Sequence, residues 1–284
     1  MKEFLLSLRT VWVKFRRDKA AIGGLIIVVA LAIAALLSFW LAPFSAVAAQ
    51  DLTNALQPPS SAHWMGTDQF GRDVGLRILY GARISLFVGF VAVAIGMSIG
   101  LLLGTSAGYF GGWWDTVVMR ITDIMLAFPF LLLALAITAA LGPSLQNALL
   151  ALGIASFPSY TRLVRGSVLS LREENYIDAA KVAGASANRI MFRHLIPNLF
   201  GTLIVYGTLR VSTAILAEAG LSYLGLGAQP PTPTWGGMLS EGRDYILFFE
   251  WMPLFPGLAI LLTVTGFNLL GDGLRDALDP KTRK

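Results

Sequence analysis

Six apolar runs divide the chain, at residues 22–42, 84–109, 117–141, 145–160, 199–219 and 252–274. A run of about 20 predominantly apolar residues crosses the hydrocarbon core as a helix, the form that satisfies its own backbone polar groups. Between the runs the chain is short, charged, or rich in glycine and proline. The pattern predicts an all-α polytopic membrane protein with six transmembrane helices. It divides into a segment 1–21, a first span 22–42, a polar loop 43–83, a five-helix core 84–274 holding a charged segment 162–198, and a tail 275–284. Segment 1–21 carries Lys2, Arg9, Lys14, Arg16, Arg17 and Lys19, with Phe4, Leu8, Val11, Trp12 and Phe15 at helical spacing. That is the pattern of an amphipathic helix lying along a membrane surface. Ala46-Val47-Ala48 has the small residues of a signal-peptidase site. The preceding run, however, exceeds the roughly 7–15 apolar residues of a signal peptide, so 22–42 reads as an uncleaved first span.

Finer features sit on this frame. Gly96, Gly100, Gly104 and Gly108 recur every fourth residue and form a groove along one helix face, where another helix can approach closely. Trp113 and Trp114 suit an interfacial loop before the third run. Arg120 and Asp123 are spaced to pair on one helix face, and Pro129 bends that helix. Arg210 stands in the middle of the fifth run, where inserting an arginine costs roughly 2.5–3.5 kcal/mol, so it faces the bundle interior or water. Two roles stay open for it, lining a translocation path or pairing structurally, with Glu218 two turns further on as a candidate partner.

Composition agrees with the pattern. The chain has 284 residues, of which 55% are hydrophobic and 14% charged, against about 25% charged in soluble domains. Mean hydropathy is +0.67. The net charge of +5 does not form a nucleic-acid stripe, because the charges sit at the ends of apolar runs and report topology. With the N-terminus inside, 17 of the 22 basic residues fall on the cytoplasmic side: the six of segment 1–21, Arg120, six between Arg162 and Arg193, and four in the tail. Only Arg72, Arg77, Arg83 and Arg243 lie opposite, so loop 43–83 is extracytoplasmic and both termini are cytoplasmic. There is no cysteine, and the only histidines are His63 and His194. Thiolate chemistry is excluded, and a metal site at His63 is disfavoured. No Walker, G-x-S-x-G or H-E-x-x-H motif occurs, so no catalytic site and no cofactor is expected in this chain.

The stretch Tyr176 to Asn198 is too polar and basic to be buried in lipid. Asp178, Ala179, Ala180, Val182 and Ala183 are good enough helix formers, and Gly184 interrupts them; a helical pattern resumes from Asn188 to Leu195, and Pro197 ends it. Gly184 is therefore an elbow, read here as too tight for an aromatic ring. A plain cytoplasmic loop with a glycine-terminated helix is one reading. The stretch also closely resembles the coupling loop of ATP-binding-cassette importer permeases, through Asp178-Ala179-Ala180, Gly184 and Ile196-Pro197. It departs from that loop in Asp for Glu at 178, His194 for the usual Ile, and Ile196 for Leu.

Two further stretches resemble one subfamily, the C-type permease subunits of dipeptide, oligopeptide and nickel importers. They are the GTD-x-x-GRD and GAR-x-SL words from Gly66 to Leu86, with Gly75 and Leu76 less typical, and Leu224–Gly227, Gln229–Pro233, Trp235-Gly236 and Glu241–Arg243. The resemblance implies the type I importer permease fold, with six spans and cytoplasmic coupling helices, in a bacterial cytoplasmic (inner) membrane. It implies that Asp178, Ala179, Ala180, Gly184, Arg189, Arg193 and Pro197 couple to an ATPase. Arg189 and Arg193 pair with acidic groups on that ATPase or stay solvated. The implied partners are a second, B-type permease, one or two ATPase subunits that bind ATP and magnesium, and an extracytoplasmic solute-binding protein. The implied cargo is di- or oligopeptide, with nickel or another small solute as the alternative. An ion-driven transporter or channel would instead show an intramembrane acidic relay or inverted repeats, and no internal repeat is evident.

Overall fold

The computed structural model describes residues 12–278, and helices account for nearly all of its regular structure, a single antiparallel bridge between Thr67 and Asp73 apart. Helix α1 (Lys19–Leu41) begins where Asp18 accepts hydrogen bonds from the Ala20 and Ala21 amides. Helix α2 (Val74–Phe110) is the axis of the fold. Helices α3 (Gly112–Leu126) and α4 (Phe130–Leu141) form a bent pair, and α5 (Leu145–Leu171) returns beside α2. Then come α6 (Asn175–Val182), α7 (Ala187–Ile190), the long α8 (Ile196–Tyr223), the short α9 (Trp235–Gly242) and α10 (Trp251–Leu278).

Among the described residues, four helices are long and apolar enough to cross a membrane: α1, α2, α8 extended back to Ala187, and α10. The pair α3–α4, bent by 92°, is long and apolar enough only when taken together, which gives up to five such spans if the pair crosses as one. Pro129 lies in that break; it supplies no amide hydrogen and cannot continue the ladder of α3. Helix α5, with 27 residues, reaches about 40 Å at 1.5 Å per residue. Ser156, Ser159, Thr161, Arg162 and Arg165 leave its sequence too polar to count among the apolar spans.

Several boundaries differ from the sequence reading. Helix α2 starts at Val74, ten residues earlier than the apolar run beginning at 84. The cause is local: the Asp73 carboxylate caps the Leu76 amide at 2.9 Å, and Tyr80 packs with Ala42 and Val47. Helix α5 runs on to Leu171 and α10 to Leu278. Phe15, expected on a membrane-facing side, is buried against Ala21 and Ala277 where α1 meets α10. Residues 1–11 of the predicted surface helix, including Phe4, Leu8 and Val11, lie outside the described residues.

The glycine row explains the central packing. A methyl carbon on Gly100 would lie 2.3 Å from Tyr160 Cβ, and one on Gly104 would lie 2.6 Å from the Thr161 carbonyl oxygen. Gly96 and Gly108 meet Ser156 and Val168 in the same way, so all four face α5 of the same chain. From the other side Gly153 admits Ile95, whose Cβ would be 2.8 Å from an added methyl. Small residues let the two backbones close up and gain dispersion contacts along their length, which is what holds helices together where lipid removes the hydrophobic drive. Two turns before Gly96, Gly89 receives Val211 and Ile215 of α8, and α1 and α10 complete the bundle.

Where α2 ends, α3 begins and α5 nears its last turns, the helices are tied by charge. Asp115 receives two hydrogen bonds of 2.5 Å from Arg165, and Arg172 donates to the Gly108 carbonyl at 3.0 Å. Asp123 pairs with Arg162 of α5 at 2.5 Å, not with Arg120 of its own helix. The interhelical partner wins because α3 and α5 lie side by side, a contact that spacing along one helix cannot reveal.

Candidate functional site

The charged segment forms a protrusion with one buried and one exposed face. Ile177, Ile190 and Leu195 are essentially inaccessible, packed with Val164 and Val168 of α5 and Leu199 and Leu203 of α8. Burying an aliphatic side chain contributes about 1.5–3 kcal/mol, so these anchors fix the protrusion to the ends of the two long helices. On the other face Val182 is 90% and Phe192 58% exposed. Asp178, Ala179, Arg189, Arg193 and Pro197 are exposed beside them, whereas Ala180 is half-buried against the anchor cluster. Asp178 pairs with Lys181 at 2.9 Å, within its own helix. Tyr176 sits at the base, its hydroxyl accepting from Asn198 Nδ2 at 3.5 Å. Its phenol is held above the usual range, first by partial burial and then by the negative charge of Glu174.

Gly184 closes α6. Its amide donates to the Lys181 carbonyl at 2.9 Å and the Ala185 amide to the Ala180 carbonyl at 3.0 Å, the paired pattern of a Schellman cap. The space around it is open, with no atom within 4 Å of an added methyl carbon, so the expectation that a ring has no room is corrected. What selects glycine is its φ of +79°, which costs other residues about 1–2 kcal/mol.

Pro197 also behaves differently from the sequence reading. It does not end the helix; α7 passes through wider π turns at Met191–Leu195 directly into α8, with Pro197 in its first turn. The Ile196 amide reaches back five residues to the Met191 carbonyl. Widening the turn relieves the clash that proline makes with a regular helical ladder, and the Asn198 side chain takes the His194 carbonyl at 2.6 Å. The protrusion is thereby one continuous lever with α8.

Midway along α8, Arg210 hydrogen-bonds the Tyr206 hydroxyl, its guanidinium 4.8 Å from the centre of that ring. Glu218 is not its partner. That carboxylate is fully buried one level higher, taking hydrogen bonds from Ser222 at 2.6 Å and Ser85 at 3.4 Å. Arg210 lines a cavity of about 290 Å³ enclosed by α2, α5, α8 and the Pro129 break.

At the opposite end from the protrusion, the two charged words met separately in the sequence come together. Arg72 binds Asp68 at 2.6 Å and Glu241 at 2.9 Å; Arg77 binds Glu241 at 2.9 Å and lies 3.5 Å from Asp68. Asp68, Arg72 and Arg77 are buried, and two cations meet two carboxylates, so the cluster is neutral. The Trp235 indole donates to the Ile78 carbonyl at 3.0 Å and the Trp251 indole to that of Thr67 at 3.1 Å. His63, unpromising as a metal ligand, contacts Asp73 at 2.8 Å. Arg83 lies over the Phe39 and Tyr80 rings.

Comparison with known proteins gives this arrangement its place. Residues 100–284 match the family described as "Binding-protein-dependent transport system inner membrane component", and residues 7–59 match the "N-terminal TM domain of oligopeptide transport permease C". The chain is a permease of the ATP-binding-cassette importer family. Among its relatives, the dipeptide transport system permease protein DppC of Alkalihalophilus pseudofirmus is 52% identical over 275 residues, covering 97% of this chain and 90% of that protein. The glutathione transport system permease protein GsiD of Escherichia coli is 47% identical over 272 residues, covering 96% and 90%. In fold, the permease is similar to a chain of the inward-facing MetNI methionine ABC transporter, with a TM-score of 0.56 at 21% identity, covering 72% of this chain and 97% of that one. It is a multi-pass membrane protein of a bacterial importer, with the six-helix type I permease fold.

Three features of the permease escaped the sequence reading. Glu241 was visible only as part of a word, because its partners are more than 160 positions away. Tyr160 and Tyr206 carried no signal, being aromatic residues in apolar runs, yet their rings meet edge to face at 5.2 Å beside Arg210. The continuity of the protrusion with α8 was masked by Pro197, which normally marks a helix start or stop.

Proposed function

We propose that this chain forms half of the translocation path of an importer for short peptides and couples it to cytoplasmic ATPase subunits through residues 176–197. The observation that carries the reading is the two-faced protrusion: Ile177, Ile190 and Leu195 lock it to α5 and α8, and Val182, Phe192, Arg189 and Arg193 are left exposed for a partner. Asp178, Ala179 and Ala180 set the exposed helix, Gly184 turns it, and Pro197 begins the lever. Closure of an ATPase pair on magnesium-bound ATP moves the protrusion, and α8 carries that motion to Arg210 as a rigid body switching between inward- and outward-facing arrangements. Hydrolysis belongs to the partner subunits. A B-type permease completes the path, a solute-binding protein delivers cargo on the extracytoplasmic side, and both termini are cytoplasmic, as the distribution of basic residues requires.

Peptide is the favoured cargo because the relatives at 52% and 47% identity are named for dipeptide and for glutathione, both short peptidic acids. The test is uptake of a labelled dipeptide in cells expressing this chain with its proposed partner subunits. Uptake is expected to fall at least tenfold on ATP depletion and to persist when the proton gradient is collapsed. Uptake that follows the gradient and ignores ATP would contradict the reading and favour an ion-driven transporter.

A further inference from the structure

The cavity beside Arg210 has a chemistry that a passive conduit does not need. Its walls are apolar where α3 breaks into α4, around Phe128 and Pro129, and polar on the other side, where Ser156, Ser159, Tyr160 and Arg210 face it. Tyr160 is fully buried, and its hydroxyl has no hydrogen-bond partner. A buried hydroxyl without a partner within the protein is uncommon. Arg210 directs one nitrogen to the Tyr206 hydroxyl, and it takes part in none of the ion pairs found among the described residues. The guanidinium presents five donors and no acceptor, so most of its capacity is left over. An uncompensated cation and a spare hydroxyl donor, side by side in a largely apolar pocket, ask for an anion that accepts from both. A carboxylate does so, with two oxygens that can take guanidinium and hydroxyl donors together.

We propose that Arg210 and Tyr160 form a carboxylate-binding station halfway along the path, which holds the terminal carboxylate of a peptide in transit. The volume of about 290 Å³ lies at the lower end of small-ligand pockets, matched to the end of a peptide rather than to a long chain. The helix break contributes to this geometry: Phe128, Pro129 and Phe130 at the bend form part of the apolar wall. Tyr206 positions the guanidinium by binding one of its nitrogens and by offering its ring face, which holds a cation without neutralising it. The station is weak by design of its parts, one cation and one hydroxyl, so cargo can leave it.

The inference rests on the permease reading, and the test separates the two. The complete importer is reconstituted in liposomes, and uptake of a dipeptide and of its C-terminal amide is measured, each corrected for its measured affinity for the solute-binding protein. The wild type is expected to take up the free acid about tenfold faster than the amide. Arg210→Gln, checked for unchanged subunit composition, is expected to lose about tenfold in uptake of the acid and nearly all of the preference. Tyr160→Phe, which keeps the ring and its packing, should lose about threefold, and Arg210→Lys should recover part of the preference. Equal acid-to-amide ratios in wild type, Tyr160→Phe and Arg210→Lys would overturn the station while leaving the importer intact. Absence of ATP-driven peptide uptake in the wild type would overturn the permease's peptide reading and this inference with it.

Discussion

Gly100→Leu is expected to destabilise the packing of α2 against α5. The first carbon of the new side chain would lie 2.3 Å from Tyr160 Cβ and 2.8 Å from the Thr161 backbone nitrogen, and neither is the free end of a flexible side chain. Helices α2 and α5 would have to separate along the row that Gly96, Gly104 and Gly108 continue. Overpacking a tight core costs about 1–3 kcal/mol, and more where backbone must move. With Gly104→Leu added, the melting temperature of the detergent-purified complex should fall by about 10 °C or more, or the chain should fail to accumulate. Gly166→Leu is the control: an added carbon there meets nothing within 4 Å, so it should melt and elute like the wild type. A Gly100→Leu, Gly104→Leu double variant that does the same would refute the packing role of the row.

The second large effect is expected at Glu241. Its removal strands the guanidinium nitrogens of Arg72 and Arg77 that now bind it at 2.9 Å, both on side chains only 2% exposed. Breaking a buried ion pair on one side costs about 3–5 kcal/mol because an uncompensated charge stays behind. Glu241→Ala should fall near 3, since the Glu241 side chain is itself 25% exposed and water can reach the vacancy. Removing one cation as well, in Glu241→Leu with Arg77→Met, should cost less than the two single changes added together, the mark of direct coupling. Thermal melting of the wild type, Glu241→Ala, the two single changes and the double variant measures this. Strict additivity, or an Ala variant within a degree of wild type, would show that the cluster carries no such energy. The cluster also supplies a physical reason for two charged words that read as separate motifs in the sequence: the first supplies Asp68, Arg72 and Arg77 and the second supplies Glu241, and together they make one neutral lock between the start of α2 and α9.

The helices and their order were legible because lipid imposes a simple rule, that a spanning segment must be apolar and self-satisfied. Residue periodicity likewise exposed the glycine row, and a proline in an apolar run exposed the break at Pro129. Legibility ended where long-range contacts decide. Asp123 chose Arg162 over the helical neighbour Arg120, Glu218 chose Ser85 and Ser222 over Arg210, and Arg210 found Tyr206. Local rules failed at two places in the protrusion. Gly184 was read as a matter of space and is a matter of φ, and Pro197 was read as a stop and sits in a helix whose turns have widened to admit it. In both cases the residue was singled out correctly, and only the backbone supplied the reason.

The central claim is that the exposed face of the protrusion is where an ATPase seats. The native chain has no cysteine, so Val182→Cys places a single thiol at a side chain 90% exposed on that face, and Leu247→Cys places one at the opposite end of the molecule, 85% exposed. A photo-activated cross-linker is attached to each thiol in native membranes, and the conjugates are identified by mass spectrometry. The account predicts that position 182 captures an ATPase subunit carrying a Walker motif, with a yield that changes when ATP is added, and that position 247 does not. Capture of no ATPase at 182 in membranes that still import solute would contradict it.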